Sequence, residues 1–380
     1  MVKTKQIILR GKLKGHGIVN YDSNEQKFAY IKAHKIKNNS NDVITVSLPD
    51  IPRKEDGSFA DNVLYAKKVF MMDKDSNEIS SRLKISSNLL RHTIFGEVPH
   101  TNPIISGDPL MMTTFVLSPV GLVRGYMFTT RKDSEEGGLS YARKSALTIT
   151  DAIQSENDSA MTHFEVHNRE GVKDDASLFY KESCGDVEYD FMAVIDFKTL
   201  RFFSCDPKFG RMAMNPDFAE KIAAGVLQSH FGKQVQFETG GFTDVAQNIG
   251  KRYAEYGIFF GDKTVEFLAK KTMKNIFGIN ISRAGAFASL TGLKAKVVKN
   301  IITDTFDEDI SWNDLSDEYG WTTINTVEDI DNMDFGTIET FYEKVSDDDL
   351  MKSSELYKKF DENHKKARDE KKNKKNSSSK

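Results

Sequence analysis

The sequence predicts an α+β fold, on two observations. Strand-like runs are mixed with few, well-separated helical patterns, and two long polar stretches interrupt them. A doubly wound sheet would instead alternate strand and helix regularly along the chain. No internal repeat is visible.

The opening KQIILRGKLKGHGIVNYD alternates apolar residues over 7–13, which predicts a strand closed by the turn Gly15-His16-Gly17. Ile18 and Val19 resume extended structure. Residues 38–80 are polar and broken by Pro49, Pro52 and Gly57, with a strand-like stretch over 63–72; this is an insertion. KISSNLLRHTIFG then supplies a helix cap (Ser86, Ser87 or Asn88), an apolar face of Leu89, Leu90 and Ile94, and a stop at Gly96. Apolar runs follow over 110–117 and 120–128, the second punctuated by Gly121 and Gly125, and 146–149 alternates like a strand. A second polar, loop-like excursion is expected over 156–176, within an insertion spanning about 130–176. Two strand-like runs in 187–203 predict a hairpin turning at Phe197-Lys198-Thr199. Residues 215–231 predict an amphipathic helix with Pro216 in its first turn, 251–260 a strand, 263–277 a second helix and 289–302 a last strand.

Composition narrows the function classes. No run of about 18 apolar residues exists, so no membrane helix is predicted. The opening MVKTKQIILRGKLKG has no apolar signal core, and the expected compartment is the cytoplasm. Cys184 and Cys205 are too few for a disulfide framework or a zinc cluster and read as reduced, buried thiols.

Net charge is only −3, but its distribution is uneven. Residues 304–349 hold 16 Asp/Glu and a single Lys, whereas 350–380 hold 11 Lys/Arg and 5 Asp/Glu. The sequence therefore divides into a mildly basic body (1–303), an acidic extension with marginal core content (Trp312, Trp321, Phe335, Phe341) and a basic tail. Such asymmetry points to an electrostatic partner. Disorder is expected over 371–380.

Catalytic signatures are lacking. There is no GxxxxGK[ST] loop, no GxGxxG after a strand and no nucleophile elbow. His163 and His167 are four apart without the HExxH arrangement, Gly240-Gly241 reads as a turn, and the acidic runs lack the ligand pattern of a calcium loop. No cofactor, metal or catalytic residue is assigned.

What remains is basic residues in structured contexts. Arg91 and His92 lie beside Asn88 in the first turns of a capped helix, where free N–H groups and the helix dipole stabilise a phosphate. Arg124 stands between Gly121 and Gly125, which allow close approach, and a guanidinium grips phosphate with paired hydrogen bonds. Arg131, Lys132, Arg143, Lys144, Lys181 and Arg211 extend the set, with Lys14 and His16 at the first glycine turn. Dispersion of this kind suits tracking a single-stranded backbone. Tyr126, Phe179, Tyr180 and Phe209 are candidate stacking rings or core residues.

GHGIVNYD (15–22), LKISSNLLRHTIFGE (83–97), VGLVRGYMF (120–128) and the segment 177–214 resemble the backbone subunit of variant type I-F CRISPR Cascade complexes. The resemblance covers about 8–260. It implies a ferredoxin-like (RRM-type) palm with an inserted finger (38–80) and thumb (130–176). It also implies guide-RNA (crRNA) binding through the sugar-phosphate backbone and head-to-tail stacking of copies into a helical filament. Guide bases would be presented to target DNA, beside other Cascade subunits. Cleavage would belong to a separate nuclease, so this chain is expected not to be an enzyme. Arg91, His92, Arg124 and Arg211 match the family's basic motifs. Two other readings are an RNA-processing nuclease of the same superfamily, using His16 or His92 as general base, and a self-assembling protein without nucleic acid.

Overall fold

A computed structural model describes residues 3–22, 35–37, 43–45, 63–72, 79–96, 109–129, 140–156, 158–168, 178–207, 212–247, 254–283, 285–299 and 312–359. Its centre is a nine-stranded sheet. The strands are β1 (Gln6–His16), β2 (Lys68–Met72), β3 (Ile79–Ile85), β4 (Leu147–Ile149), β5 (Ala152–Gln154), β6 (Asp186–Asp196), β7 (Asn280–Arg283), β8 (Ala286–Val298) and β9 (Trp321–Ile324). They lie in the order β7-β8-β1-β6-β5-β3-β2, with β4 also on β6 and β9 on β8, and all pairings are antiparallel.

Period-two alternation sets the two faces. On β1, Ile7, Leu9 and Leu13 turn into the core, as do Val187, Tyr189, Phe191, Ala193 and Ile195 on β6. Gly11 lies opposite Phe191, whose ring fills the space a Cβ would need, only 2.2 Å from that position. The strand continues through Gly15 and His16, so the turn starts at Gly17 (φ 72°), two residues later than the first glycine suggests.

Two helices lie on this inner face. α1 (Ser87–Phe95) contributes Leu89, Leu90 and Ile94, and α3 (Asp262–Phe277) contributes Val265, Leu268, Ala269, Met273 and Ile276, both at helical spacing. Between them in the chain comes the short α2 (Pro119–Arg124), which packs on both. The core elements follow as strand, helix, strand pair, strand, helix, strand. The architecture is thus mixed α and β with antiparallel sheets, the class expected.

Several local expectations are corrected. Residues 197–199 form no hairpin: Asp196 caps a one-turn helix, Phe197–Arg201, by accepting from the Lys198 and Thr199 N–H groups. That helix carries the chain into a separate sheet through Phe202–Ser204. The helix over 215–231 breaks at Ile222 into Pro216–Lys221 and Ala223–Phe231. Gly240 and Gly241 sit inside the strand Phe237–Asp244, where Val345 and Leu350 crowd the place of a Gly241 Cβ. The second polar excursion contains a regular strand, Thr162–Asn168, paired with Leu178–Cys184; there His163 meets Glu165 at 3.2 Å.

Residues 312–349 of the acidic extension, expected to have marginal core content, and residues 350–359 of the basic tail pack on the body. β9 adds to the edge of β8, and Tyr342–Lys344 adds to Phe237–Asp244. Trp312 lies against Gly292, and the ammonium groups of Lys12 and Lys294 stand 5.3 and 5.1 Å from its ring centroid. With Leu315 and Trp321 it covers Ile8, Met192, Val194 and Val298 on the outer face of the sheet. α4 (Val327–Asn332) packs on α3, where Lys274 pairs with Asp331 at 2.6 Å. Buried Arg201 donates to the carbonyls of Ile338, Glu339 and Phe260 and pairs with Asp262. A helix over 347–359 then docks by Ser353, whose hydroxyl donates to the Ala254 carbonyl at 3.1 Å. No helix among the described residues is long and apolar enough to cross a membrane.

Candidate nucleic-acid interface

Five of the residues assigned to RNA binding from the sequence line one cleft: Asn88, Arg91, His92, Arg124 and Arg143. Ser86 caps α1 by accepting from the Leu89 N–H, and Gly96 ends it. With Leu89, Leu90 and Ile94 committed to the core, Asn88, Arg91 and His92 share the opposite face, at spacings of three and four residues. α2 ends at Arg124 because Gly125 takes φ 73°, a conformation that favours glycine. A Cβ on Gly125 would also stand 2.5 Å from the Arg143 carbonyl oxygen.

The two helices meet where the Arg91 Nη2 donates to the Arg124 main-chain carbonyl at 2.7 Å. Asn88, Arg91, His92 and Arg124 thereby line an open cleft of about 450 Å³ with Phe115, Tyr126, Met127 and Phe128. Partial burial, and then the nearby Arg124 guanidinium, lower the pKa of Arg91. Two cations brought this close repel one another, and an anion between them relieves that cost.

The aromatic wall is built inward. Tyr126 packs against Phe115 and Phe128, ring centroids 5.8 and 5.5 Å away, and its hydroxyl donates to the Ala213 carbonyl at 2.8 Å. Met127, between them in an alternating strand, is 85% exposed at the cleft. Sequence reasoning missed it, although the Tyr-Met-Phe alternation after Gly125 carried the signal.

Arg143 is corrected. It is 8% exposed, and its guanidinium donates to the carbonyls of Leu122 (3.0 Å), Phe202 (2.9 Å) and Thr199 (2.8 Å). Burial lowers its pKa to about 10. The group ties three segments together beneath the cleft and is too buried to grip a phosphate on the solvent side. Lys144, the next residue, is exposed, and its backbone packs against Gly125.

The reason given for Arg91 and His92 is corrected too. Neither is in the first turn, and His92 stands in the last. The N-terminus of α1 already holds a carboxylate: Asp151 accepts from the Ser87 N–H at 2.7 Å and pairs with Lys84 at 2.9 Å. Burial alone would raise the Asp151 pKa, but the Ser87 and Lys84 hydrogen bonds together hold it below the ordinary value. A phosphate has no place there.

The remaining candidates do not join the cleft. Lys14 and His16 lie on the outer face of the sheet, where His16 Nδ1 meets Asp186 at 2.8 Å and its ring stacks near Phe287. Lys181 belongs to the sheet of Leu178–Cys184, its ammonium 5.5 Å from the Tyr21 ring centroid. Arg131, Lys132 and Arg211 lie outside the described residues, as does Phe209.

Comparison with known proteins gives one family. No curated protein sequence matches. One solved structure, described as a CRISPR RNA-guided surveillance complex, is 9% identical with a TM-score of 0.31, covering 80% of this chain and 72% of its own. Another, described as such a complex in a pre-nicking state, is 8% identical with a TM-score of 0.31, covering 83% and 82%. The family model for the type I-Fv CRISPR-associated protein Cas7fv-like matches residues 4–297, which is most of the chain. The chain belongs to the Cas7fv-like family of type I-Fv CRISPR-associated proteins.

Proposed function

We propose that this protein is a guide-RNA scaffold subunit of a CRISPR surveillance complex, holding the crRNA backbone in the Arg91–Arg124 cleft. The observation that carries the reading is the pairing of those two guanidiniums at an open cleft, linked by the bond from Arg91 to the Arg124 carbonyl. Arginines that crowd one another at a solvent-open site favour a polyanion, and a phosphodiester backbone brings one charge per nucleotide. Binding is therefore to backbone and independent of base sequence.

The order of the core elements, with strands arranged β8-β1-β6-β5, supports reading the body as a ferredoxin-like palm. On this reading copies stack head to tail along the guide in the cytoplasm beside other subunits of the complex. The guide bases, not this chain, read the target DNA. The subunit is a scaffold and not a nuclease.

The experiment is purification of the chain alone at moderate salt, with the ratio of absorbance at 260 to 280 nm and the elution volume recorded before and after ribonuclease. A high ratio and a heavy species that both collapse on treatment are expected. A nucleic-acid-free monomer in both runs overturns the scaffold reading. Polymers that survive nuclease and high salt favour self-assembly without RNA, and histidine-dependent cleavage of labelled RNA overturns the non-catalytic assignment.

A further inference from the structure

The acidic extension over 312–349 lies beyond the residues that the family model matches, and it is seated on cations of the body. Lys294 donates to the main-chain carbonyls of Trp312 and Leu315 at 2.9 and 2.6 Å, and Lys270 to that of Asp331 at 2.8 Å. Lys274 pairs with the Asp331 carboxylate at 2.6 Å, and Lys3 stands 3.7 Å from that of Glu339. The Lys12 ammonium is 5.3 Å from the Trp312 ring centroid, and Arg201 donates to the carbonyls of Ile338 and Glu339. These six cations come from β1, β8, α3 and the segments beside them.

Attachment explains the apolar residues of the extension, but not its charge. Residues 312–349 hold 12 Asp/Glu against the single Lys344. Six of the exposed carboxylates, Asp317, Glu318, Glu328, Glu343, Asp347 and Asp348, make no ion pair among the described residues. Like charges collected on one surface repel one another and weaken the compact state, so they call for a reason outside stability. Their sign is that of a phosphate chain. A polyanion is drawn to any uncovered cluster of Lys and Arg, whatever its sequence. The extension therefore acts twice on such a ligand: it occupies six cations of the body and turns a surface of the ligand's own sign outward.

Resting on the reading of the Arg91–Arg124 cleft as the guide-RNA site, we infer that the acidic extension is an internal polyanion that keeps RNA off this face of the body and leaves the strand to the cleft. The carbonyls of Trp312, Leu315, Asp331, Ile338 and Glu339 take the place of phosphate oxygens on the covered cations. The outward carboxylates repel an approaching strand within about a Debye length, ~8 Å at physiological salt.

The test uses the full chain with the six exposed carboxylates changed to their amides: Asp317→Asn, Glu318→Gln, Glu328→Gln, Glu343→Gln, Asp347→Asn and Asp348→Asn. Amides keep the size of the side chains, and a urea midpoint shared with the parent shows that the fold is intact. Should the full set unfold the protein, the first three and the last three changes are made separately. Each set is placed in the wild-type chain and in the chain carrying Arg91→Glu and Arg124→Glu, and labelled single-stranded RNA is titrated by anisotropy at low and high salt. With the cleft arginines replaced, the neutral extension is expected to raise affinity for RNA about 10-fold at low salt, at the lower end of what summed surface charge does to a charged ligand. The gain should vanish at high salt, where exposed charges are screened. An arginine-replaced chain that binds RNA no better with the neutral extension overturns the inference. So does a gain that survives high salt, which assigns it to a change of shape. Absence of RNA binding by the wild-type chain, or arginine replacements that leave its binding unchanged, overturns the guide-RNA reading instead.

Discussion

The Nη2 of Arg91 donates to the main-chain carbonyl of Arg124 at 2.7 Å, so one cation is anchored on the backbone that presents the other. The bond joins the face of α1 to the end of α2, which meet only through the fold. It is also why neither arginine's role can be separated from the geometry of the glycine that follows Arg124.

Arg91→Glu and Arg124→Glu are each expected to weaken RNA binding about equally for all sequences. Each should also flatten the dependence of log K on log salt, by about 0.7 for every phosphate of a single strand that the protein no longer neutralises. Titrations of several unrelated sequences at a series of salt concentrations check this. Unchanged slopes in both variants remove these residues from the interface.

Gly125→Ala places a Cβ 2.5 Å from the Arg143 carbonyl oxygen at φ 73°. The chain has to move there, and the Arg124 carbonyl moves with it. A loss of stability of about 1–3 kcal/mol and weaker RNA binding are expected together, from a urea titration and a binding curve on the same preparation.

Arg143→Met leaves the carbonyls of Leu122, Thr199 and Phe202 without their donor. Buried acceptors left unmade cost about 1–3 kcal/mol each, and part is recovered by relaxation, so a loss of about 3 kcal/mol is expected. A urea midpoint that does not shift would mean that Arg143 faces solvent.

Trp321→Ala removes a side chain that is 5% exposed against Ile8, Val298 and Leu315. An aromatic core truncation costs about 3–5 kcal/mol, and the whole protein should lose stability in a single transition. An unmoved midpoint would make residues 312–359 an appendage after all.

Asp151→Asn tests the anchor of α1. The native Asp151 pKa is depressed, so its contribution is present above the unfolded-state value and is lost as pH falls through the folded one. The variant should be less stable near neutral pH by about 1 kcal/mol, the worth of a helix cap. It should match wild type once acid has protonated the native carboxylate. Parallel urea titrations at neutral and acid pH measure the difference; an equal gap at both sinks the idea.

The periodic elements were legible because burial on one face writes a period into the chain. Alternation over 7–13 marked β1, the cap and apolar face over 86–96 marked α1, and 263–277 marked α3. The strand THFEVHN was missed because its polar surroundings suggested a loop and because no face of it is buried among the described residues: Phe164 is half-buried and Val166 is exposed.

What the sequence determined by itself is therefore local and compositional: the α+β class, the main helices and strands, the charge asymmetry, and a family resemblance carried by segments such as SNLLRH and GLVRGY. Only the tertiary structure decided which cations meet. Arg91, Arg124 and Arg143 are chemically alike in one dimension, yet the first two edge an open cleft and the third is spent on three carbonyls. It decided as well that Asp151 occupies the helix N-terminus and that Trp312 and Trp321 close the sheet's outer face. A guanidinium's task is set by the acceptors that surround it, and those acceptors come from residues distant in the chain.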